Sequence, residues 1–435
     1  MQNARLIFAV FLVLSSGVCL AQEVDLAAIR AMKLEPNMGP GEGNAGTRAP
    51  DDVRPVGAVL ETRPPLNLIA KPAFRQQTRA PAIRTKTPFT VRVVAHGFKR
   101  AWRITFLPDA RMLVTEKSGR IRIVTQDGKI GEAIAGVPKV LNFSDAGFFD
   151  IVLDPDFART RRVFLSYVEY RGEGIGNGLT VASARLSADE KSFEDVKTIF
   201  SAPAHNNVGH YGGRMLVAHD NTLLIAVGDH FLPATRVKSQ DIDSTYGKLV
   251  RVNFDGTIPQ DNPFAQVRGA EGTIWALGLR NVEGLSYDAK GSLWAADIGP
   301  QTGDELNIIA PGRNYGWPVI GYGTEYSGQP INGGNSQAPG MEQPVYYWDP
   351  TIAPSGITFY SGTLIPEWRG NLFVASLAGQ HLDRLVLRDG RVVGEERLLQ
   401  DQQARFRDVV QAPDGALWVL TDATDGKLMR LAPSR

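Results

Sequence analysis

The stretch Pro413-Asp414-Gly415-Ala416-Leu417-Trp418-Val419-Leu420 combines a turn with a short apolar run. Proline, aspartate and glycine favour turns because they adopt the backbone angles that turns require, and a run of Leu, Trp and Val is typical of a buried strand. Five similar turn-and-strand units occur earlier in the chain, at residues 107–115, 154–167, 219–227, 288–295 and 366–374. Six weakly similar units, about 58 residues each, predict an all-β fold, namely a six-bladed β-propeller with long loops. A pair of β-sandwiches, the alternative, would not repeat one unit six times.

The overall composition excludes some classes of function. The chain has 435 residues, with 47 Lys and Arg against 46 Asp and Glu, and hydrophobic residues make up 43% of it. The hydrophobic share is sufficient for a sizeable core, which excludes wholesale disorder. A net charge of +1 without a basic block argues against a protein that binds nucleic acid through its phosphates, so we expect no nucleic-acid partner.

The first residues predict export. Arg5 precedes an apolar run at residues 6–14 and small residues follow, so residues 1–21 have the three regions of a secretory signal peptide. The apolar run is too short to span a bilayer, and we expect no integral membrane segment. A lipoprotein signal that uses Cys19, the single cysteine, is the alternative, which Val18 disfavours. The expected location is therefore periplasmic or secreted.

Residues 22–88 differ in composition from the rest of the chain. Prolines and glycines recur through this segment, and no hydrophobic period is present. Such a composition predicts an extended linker or an arm that wraps around the surface. The sequence thus divides into a signal peptide at residues 1–21, a Pro/Gly-rich extended N-terminal arm or linker at 22–88, and a propeller domain at 89–435.

Four polar motifs lie between the strand-like runs of the propeller domain. They occupy residues 206–214, 279–284, 299–318 and 405–408. Because a propeller builds its site from the loops of several blades at one mouth of the central channel, we expect these motifs to lie close together.

At these motifs the chain resembles the soluble dehydrogenases of glucose and aldose sugars that depend on pyrroloquinoline quinone (PQQ). The resemblance covers about residues 89 to 433 and rests on an ordered series of short segments. These are residues 114–116, 154–157, 210–214, 240–264, 280–281, 303–307, 314–318, 354–356 and 405–408. The family has a six-bladed propeller, which agrees with the repeat count.

The resemblance implies a PQQ site. PQQ carries three carboxylates, which suit the rigid guanidinium groups of arginines. The residues that correspond to cofactor contacts are Arg280, Asn281, Tyr326, Arg405, Arg407 and Asp145. Asp145 replaces the glutamine that is usual in the family, and an ionised carboxylate would repel the cofactor unless a cation or a proton compensates. Ala378 stands where many members have a cofactor-binding lysine, and Ile298 stands where the family usually has a histidine.

The resemblance also implies calcium. In the family the carbonyl groups of a Gly-Pro pair, here Gly299 and Pro300, hold the cofactor's calcium, which polarises the quinone as a Lewis acid. A second calcium is held partly by residues that correspond to Glu305 and Tyr315. The expected metal ligands are therefore these four residues.

His210 corresponds to the catalytic histidine of the family. Its expected role is that of a general base, which removes the hydroxyl proton at the anomeric carbon while hydride passes to the quinone. The implied function is PQQ- and calcium-dependent oxidation of aldoses to lactones, with an unknown electron acceptor as a further partner. The alternative is a quinone-free propeller that binds sugars or glycans or serves as an interaction scaffold. A calcium-dependent sugar-lactone hydrolase is a third possibility, which would need acidic metal ligands from several blades.

Overall fold

The six turn-and-strand units occupy equivalent positions in six sheets. The computed structural model describes residues 48–49 and 51–434, in which each unit joins the first strand of a sheet to the second. The second strands are buried over most of their length, for example at Leu417–Thr421 and Leu293–Asp297, because neighbouring sheets cover both of their faces. The predicted six-bladed β-propeller is therefore confirmed.

Twenty-four strands are present in the described part of the chain. In chain order they are β1 (Phe89–Phe98), β2 (Ala101–Phe106), β3 (Met112–Glu116), β4 (Ile121–Val124), β5 (Ile130–Ala133), β6 (Phe148–Leu153), β7 (Arg162–Gly172), β8 (Gly176–Leu186), β9 (Phe193–Ser201), β10 (Gly212–Val217), β11 (Thr222–Val227), β12 (Lys248–Asn253), β13 (Ile274–Leu277), β14 (Val282–Tyr287), β15 (Leu293–Asp297), β16 (Asp304–Ile309), β17 (Tyr346–Trp348), β18 (Pro354–Phe359), β19 (Leu372–Ser376), β20 (Leu382–Arg388), β21 (Arg391–Leu398), β22 (Phe406–Gln411), β23 (Leu417–Thr421) and β24 (Gly426–Pro433). Short helical turns lie at Phe157–Thr160, Pro233–Arg236, Val237–Gln240, Ile331–Gly334, Pro366–Trp368 and Gln400–Gln402.

The sheets are four-stranded and antiparallel. Five blades consist of consecutive strands, β2–β5, β6–β9, β10–β13, β14–β17 and β18–β21. The sixth blade combines β22, β23 and β24 with β1, which pairs with β24 from Phe89 opposite Pro433 to Phe98 opposite Gly426. The first strand thus closes the ring against the last strand, which joins the two ends of the propeller without a covalent link.

Apolar clusters between the blades form the core. One cluster joins the sixth blade to the first and contains the fully buried Trp418, Ile104 and Val114. Burial of each such large side chain stabilises the fold by about 1.5–3 kcal/mol. The same kind of packing recurs around the ring, since adjacent blades share each cluster.

The first strand of every blade is irregular near its start. A bulge or shift of register separates Ala101 from Arg103, Phe148 from Ile151, Gly212 from Met215, Val282 from Gly284, Pro354 from Ile357 and Phe406 from Asp408. A bulge redirects side chains and often lies beside a functional site. Here the six irregularities lie at the same end of the six blades, where the first strands begin.

The described part of the arm, residues 51–88, packs on the outside of the blades. Ala80 is buried in the same cluster as Trp294 and Tyr346. Glu61 forms an ion pair of 2.7 Å with Arg397 on β21. These contacts hold residues 51–88 against the blades, and residues 22–47 of the predicted arm lie outside the described residues. The predicted signal peptide lies outside the described residues, and no helix within them is long and apolar enough to cross a membrane.

Candidate active site

The structure brings the candidate residues to one mouth of the channel. His210, Arg280 and Arg405 lie directly before or within two residues of the first strands β10, β14 and β22, and Asp145 precedes β6. Residues 299–305 reach the same end because β15 runs antiparallel to β14 and the chain turns there into β16. Loops from five segments therefore meet at the start of the inner strands.

His210 is held by a buried carboxylate. Its ring atom Nδ1 lies 2.8 Å from Oδ1 of Asp229, and His210 is 8% exposed. An ionised carboxylate only accepts hydrogen bonds, so the proton of this contact belongs to Nδ1 and leaves Nε2 as an acceptor. Gly228 lies against this loop, and any side chain there would collide with the carbonyl of His210. The loop thus presents an oriented imidazole with one basic nitrogen.

Asp229 is the main functional residue that the sequence analysis missed. Its Oδ2 accepts a hydrogen bond of 2.8 Å from the indole Nε1 of Trp317. Burial alone would raise the pKa of Asp229, but its interaction and hydrogen bond with His210 and the charge of Arg280 lower it below its usual value. Its position two residues after the buried strand β11 was a usable signal, because strand ends in a propeller reach the mouths of the channel.

Arg280 and Asn281 form hydrogen bonds that hold their own loop to Asp297 and to the loop of His210. The backbone N–H groups of both residues donate to the carboxylate of Asp297, at 2.9 and 2.6 Å. Oδ1 of Asn281 accepts from the backbone of Gly212 at 2.9 Å, two residues after His210. The side chain of Asn281 therefore ties two blades together, and a cofactor contact for it stays a prediction.

A larger cavity of about 290 Å³ lies beside this cluster. Its walls include Arg405, Arg407 and Asp145 of the predicted set, together with Lys117 and Trp102, which the sequence analysis did not single out. The backbone N–H of Asp145 donates to the carbonyl of Val208 at 3.2 Å, which joins the cavity wall to the loop of His210.

Ion pairs order the guanidinium groups in this cavity. Arg407 contacts Glu283 at 2.5 Å and Asp422 at 3.0 Å, and Arg405 lies 3.5 Å from Asp422. Burial would raise the pKa of Asp422, but the charges of Arg407 and Arg405 lower it to about 2. Lys117 lies in the same wall, where burial lowers its pKa while the negative charge of Asp145 opposes that effect. The cation that Asp145 requires is therefore present.

A second, smaller cavity of about 20 Å³ contains the four predicted metal ligands. Gly299, Pro300, Glu305 and Tyr315 line it together with Asp297. Burial and the nearby charge of Asp297 raise the pKa of Glu305 to about 8. A carboxylate in such surroundings calls for a cation, and the volume is enough for one ion or water molecule.

Two contacts at this cavity bear on calcium binding. The Gly299 carbonyl accepts a hydrogen bond of 2.7 Å from Nη1 of Arg280, which leaves its second lone pair for a metal. Asp304 is buried and accepts from the backbone N–H groups of Gly299, Ile352 and Ala353 at 2.7–2.8 Å. It fixes the loop that carries the predicted ligands. No group of three or more His, Cys, Asp or Glu side chains is arranged to hold a metal among residues 48–49 and 51–434.

Tyr326 and Ala378, two further positions that the sequence analysis singled out, line neither cavity. Tyr326 interacts with Arg280, whose charge and hydrogen bond oppose the effect of burial that raises the pKa of Tyr326. Ala378 is buried, and its backbone N–H donates to the carbonyl of Ile352 at 2.9 Å. The lysine that the resemblance would lead one to expect at this position is thus replaced by a buried alanine.

Comparison with known proteins gives consistent matches over most of the chain. Residues 98–430 match the Glucose / Sorbosone dehydrogenase family. The aldose sugar dehydrogenase of Escherichia coli K12 is 37% identical over 347 residues, which span 79% of this chain and 92% of that protein. Quinoprotein glucose dehydrogenase B of Acinetobacter calcoaceticus is 25% identical over 412 residues, which span 77% of this chain and 85% of that protein.

Solved structures match over similar lengths. A crystal structure of glucose dehydrogenase superposes with a TM-score of 0.76 at 41% identity and covers 79% of this chain and 100% of its own. The PQQ-bound form of the aldose sugar dehydrogenase of Streptomyces coelicolor superposes with a TM-score of 0.66 at 27% identity, over 81% of this chain and 100% of its own.

Proposed function

The chain belongs to the glucose/sorbosone dehydrogenase family, and from this premise we propose that it oxidises aldose sugars at the anomeric carbon with PQQ as cofactor. Membership confirms the family resemblance found in the sequence and the expectation of an oxidoreductase. The observation that carries the proposal is a cavity lined by four partly exposed cations, at the same mouth of the channel as an oriented histidine–aspartate pair. The proposed location is the periplasm or the exterior of the cell.

The larger cavity fits an anion with several carboxylates. Four cations line it, Arg100, Lys117, Arg405 and Arg407, against three acids, Asp145, Glu283 and Asp422. The Nε atoms of Arg405 and Arg407 are buried without a hydrogen-bond partner. The cationic side chains that line the cavity can form charge-assisted hydrogen bonds with the carboxylates of an anionic ligand, which would stabilise the bound state. Trp102 also lines the cavity, where it is buried with the guanidinium of Arg214 over its ring at 4.2 Å.

Calcium fits the smaller cavity. Carbonyl and carboxylate oxygens are the ligands that calcium prefers, and Gly299, Pro300 and Glu305 supply both kinds around a volume for one ion. We therefore assign one calcium to this cavity, where the resemblance implies two. We expect chelation to lower the melting temperature of the wild type and the variant Glu305→Ala to lose that sensitivity. Equal melting temperatures of the wild type with and without chelator would contradict the metal site.

The proton step falls to His210. PQQ, when bound, supplies a quinone that accepts the hydride from the anomeric carbon, which leaves the sugar as a lactone. Nε2 of His210 takes the proton of the anomeric hydroxyl, because Nδ1 is committed to Asp229. The ionised Asp229 then stabilises the imidazolium that forms, and the indole of Trp317 keeps Asp229 in place.

Reconstitution tests the proposal. Purified protein is incubated with PQQ and calcium, the absorption change of the bound cofactor is followed, and aldose oxidation is measured with an artificial electron acceptor. We expect the absorption change of bound PQQ, and we expect aldose oxidation only when PQQ is present. A reconstituted protein that neither binds PQQ nor oxidises any aldose would favour the quinone-free propeller, for which the absence of a lysine at Ala378 is the supporting observation.

A further inference from the structure

The N-terminal arm passes beside the smaller cavity at residues 66–70. Asn67 is 3% exposed, although it belongs to a segment of Pro/Gly-rich composition. This segment precedes the residues that match the family, which begin at 98. A buried polar side chain in such a segment needs a structural reason, because burial of an amide is unfavourable without hydrogen bonds.

The side chain of Asn67 is fully engaged with the wall of the cavity. Its Nδ2 donates to the carbonyls of Tyr322 and Gly323, both at 3.0 Å, and both of these residues line the cavity. Its Oδ1 accepts from the backbone N–H groups of Ile69 and Ala70 at 3.3 and 3.1 Å. The arm therefore turns around Asn67 and directs both donor hydrogens at one segment of the cavity wall.

That segment packs directly on the loop of the predicted metal ligands. A side chain on Gly323 would collide with the carbonyl of Thr302, and one on Gly303 would collide with the backbone of Gly323. The backbone N–H of Gln301 also donates to the carbonyl of Thr324 at 3.0 Å. A shift of residues 322–323 therefore moves residues 301–303, with which Gly299 is in contact.

The arm holds the same loop from a second side through Asp349. This carboxylate accepts from the backbone N–H groups of Leu66 and Asn67 at 2.9 and 3.2 Å. It also accepts from the hydroxyl of Thr302 at 2.6 Å. Residues 66–67 thus reach the metal loop by two independent routes, one through 322–323 and one through Asp349.

We propose that Asn67 is a positioning residue for the calcium site, and that residues 66–67 of the arm belong to this site although they lie outside the family region. The inference rests on the calcium site of the proposed function. Residues that orient the ligands of a metal contribute to its affinity nearly as the ligands do, and their loss typically weakens metal binding by about 10- to 100-fold. The coupling is also reciprocal: if docking of the arm strengthens calcium binding by some factor, bound calcium must stabilise the docked arm by the same factor.

The first test is a calcium titration of full-length, metal-free protein by calorimetry. We expect Asn67→Ala to bind calcium about 10- to 100-fold more weakly than the wild type. The matched control is Thr85→Val, which removes the arm's contact of 2.7 Å with Glu396 at a distance from the cavity. Thr85→Val should retain the affinity of the wild type even if it lowers the melting temperature.

The second test uses the wild type alone and stays decisive if Asn67→Ala fails to fold. Hydrogen–deuterium exchange of the amides of Ile69 and Ala70, which donate to Asn67, should slow when calcium is added. Amides near Thr85 should exchange at an unchanged rate. A wild type that binds no calcium would overturn the proposed metal site and this inference with it. If the wild type binds calcium, two results would overturn the inference about Asn67 but leave the metal site standing. One is an equal calcium affinity of Asn67→Ala and the wild type, and the other is an exchange rate at residues 69–70 that calcium does not change.

Discussion

Two polar regions meet at the mouth of this propeller, and they are built differently. In the first, His210, Asp229 and Trp317 satisfy one another, and both oxygens of Asp229 are engaged. In the second, the cavity of Arg405 and Arg407, cations exceed carboxylates and the two Nε atoms lack partners. The first arrangement holds one proton at a defined atom, whereas the second is arranged to receive negative charge from outside.

The difference agrees with the roles that we propose for the two regions. A general base works only when its tautomer and orientation are set before the substrate arrives, which requires complete hydrogen bonding inside the protein. A binding cavity for an anion gains affinity from donors that the protein itself leaves without partners. Substitutions in the first region should therefore change turnover, and substitutions in the second should change cofactor affinity.

The largest expected effect is that of His210→Ala. Loss of the base should lower the turnover number on aldoses by about a hundredfold to ten-thousandfold, while the dissociation constant of PQQ stays unchanged. Steady-state kinetics at saturating PQQ and an absorption titration measure the two quantities. The control is His219→Ala, because His219 packs on Tyr287 at the turn between β10 and β11, at the other end of the blade. Equal turnover of the wild type and His210→Ala would disprove the proposed base.

Asp229→Asn should have the next largest effect. The amide preserves the shape of the carboxylate but removes its charge and permits the wrong tautomer of His210, so turnover should fall by about a hundredfold. Trp317→Phe removes only the indole donor and should retain most of the activity. If Asp229→Asn turned over at the wild-type rate, the orientation of His210 would not depend on this contact.

Arg407→Ala tests the second region, the cavity of Arg405 and Arg407. We expect cofactor affinity to fall by about tenfold to a hundredfold, the usual effect of losing a charge-assisted hydrogen bond, with turnover preserved at saturating PQQ. Arg407→Lys keeps the charge but loses the planar fork, so its affinity should be intermediate. If the turnover number of Arg407→Ala fell as steeply as its PQQ affinity, the two regions would not have separate roles.

The smallest effect is expected from Asp145→Asn. Removal of one negative charge near Lys117 should strengthen binding of the anionic cofactor by roughly fivefold, about 1 kcal/mol at the short distances and high dielectric of an open cavity. The measurement is a PQQ titration at low and high salt, and the gain should shrink at high salt. Weaker binding by Asp145→Asn would indicate that Asp145 contributes to the site as an acceptor.

The repeat could be predicted from the sequence because its physical cause is local. The second strand of each blade is covered on both faces, so it appears as a continuous apolar run such as Leu417–Leu420, and the turn before it uses Pro, Asp or Gly. His210 and Gly299–Pro300 lie within short motifs of consecutive residues, and the resemblance to a known family implied their roles. Short-range patterns therefore determined the fold class, and the resemblance supplied the candidate residues.

Other features depend on contacts between distant segments. Asp229 meets Trp317 across 88 positions of the chain, and Asn67 meets Tyr322 and Gly323 across 255 and 256. Lys117 and Asp145 share a cavity only because the first and second blades are neighbours in the ring. No periodicity or spacing in the sequence encodes such pairs.

By itself the sequence determined the six-bladed propeller and the loops in which the active-site motifs lie, because burial and turn formation impose patterns on neighbouring residues. The tertiary structure alone decided which acid orients His210, which cation compensates Asp145, and that the arm reaches the predicted metal loop. The physical reason is that hydrogen bonds and charge interactions act over a few ångströms in space, and closure of the ring brings together residues that lie far apart along the chain.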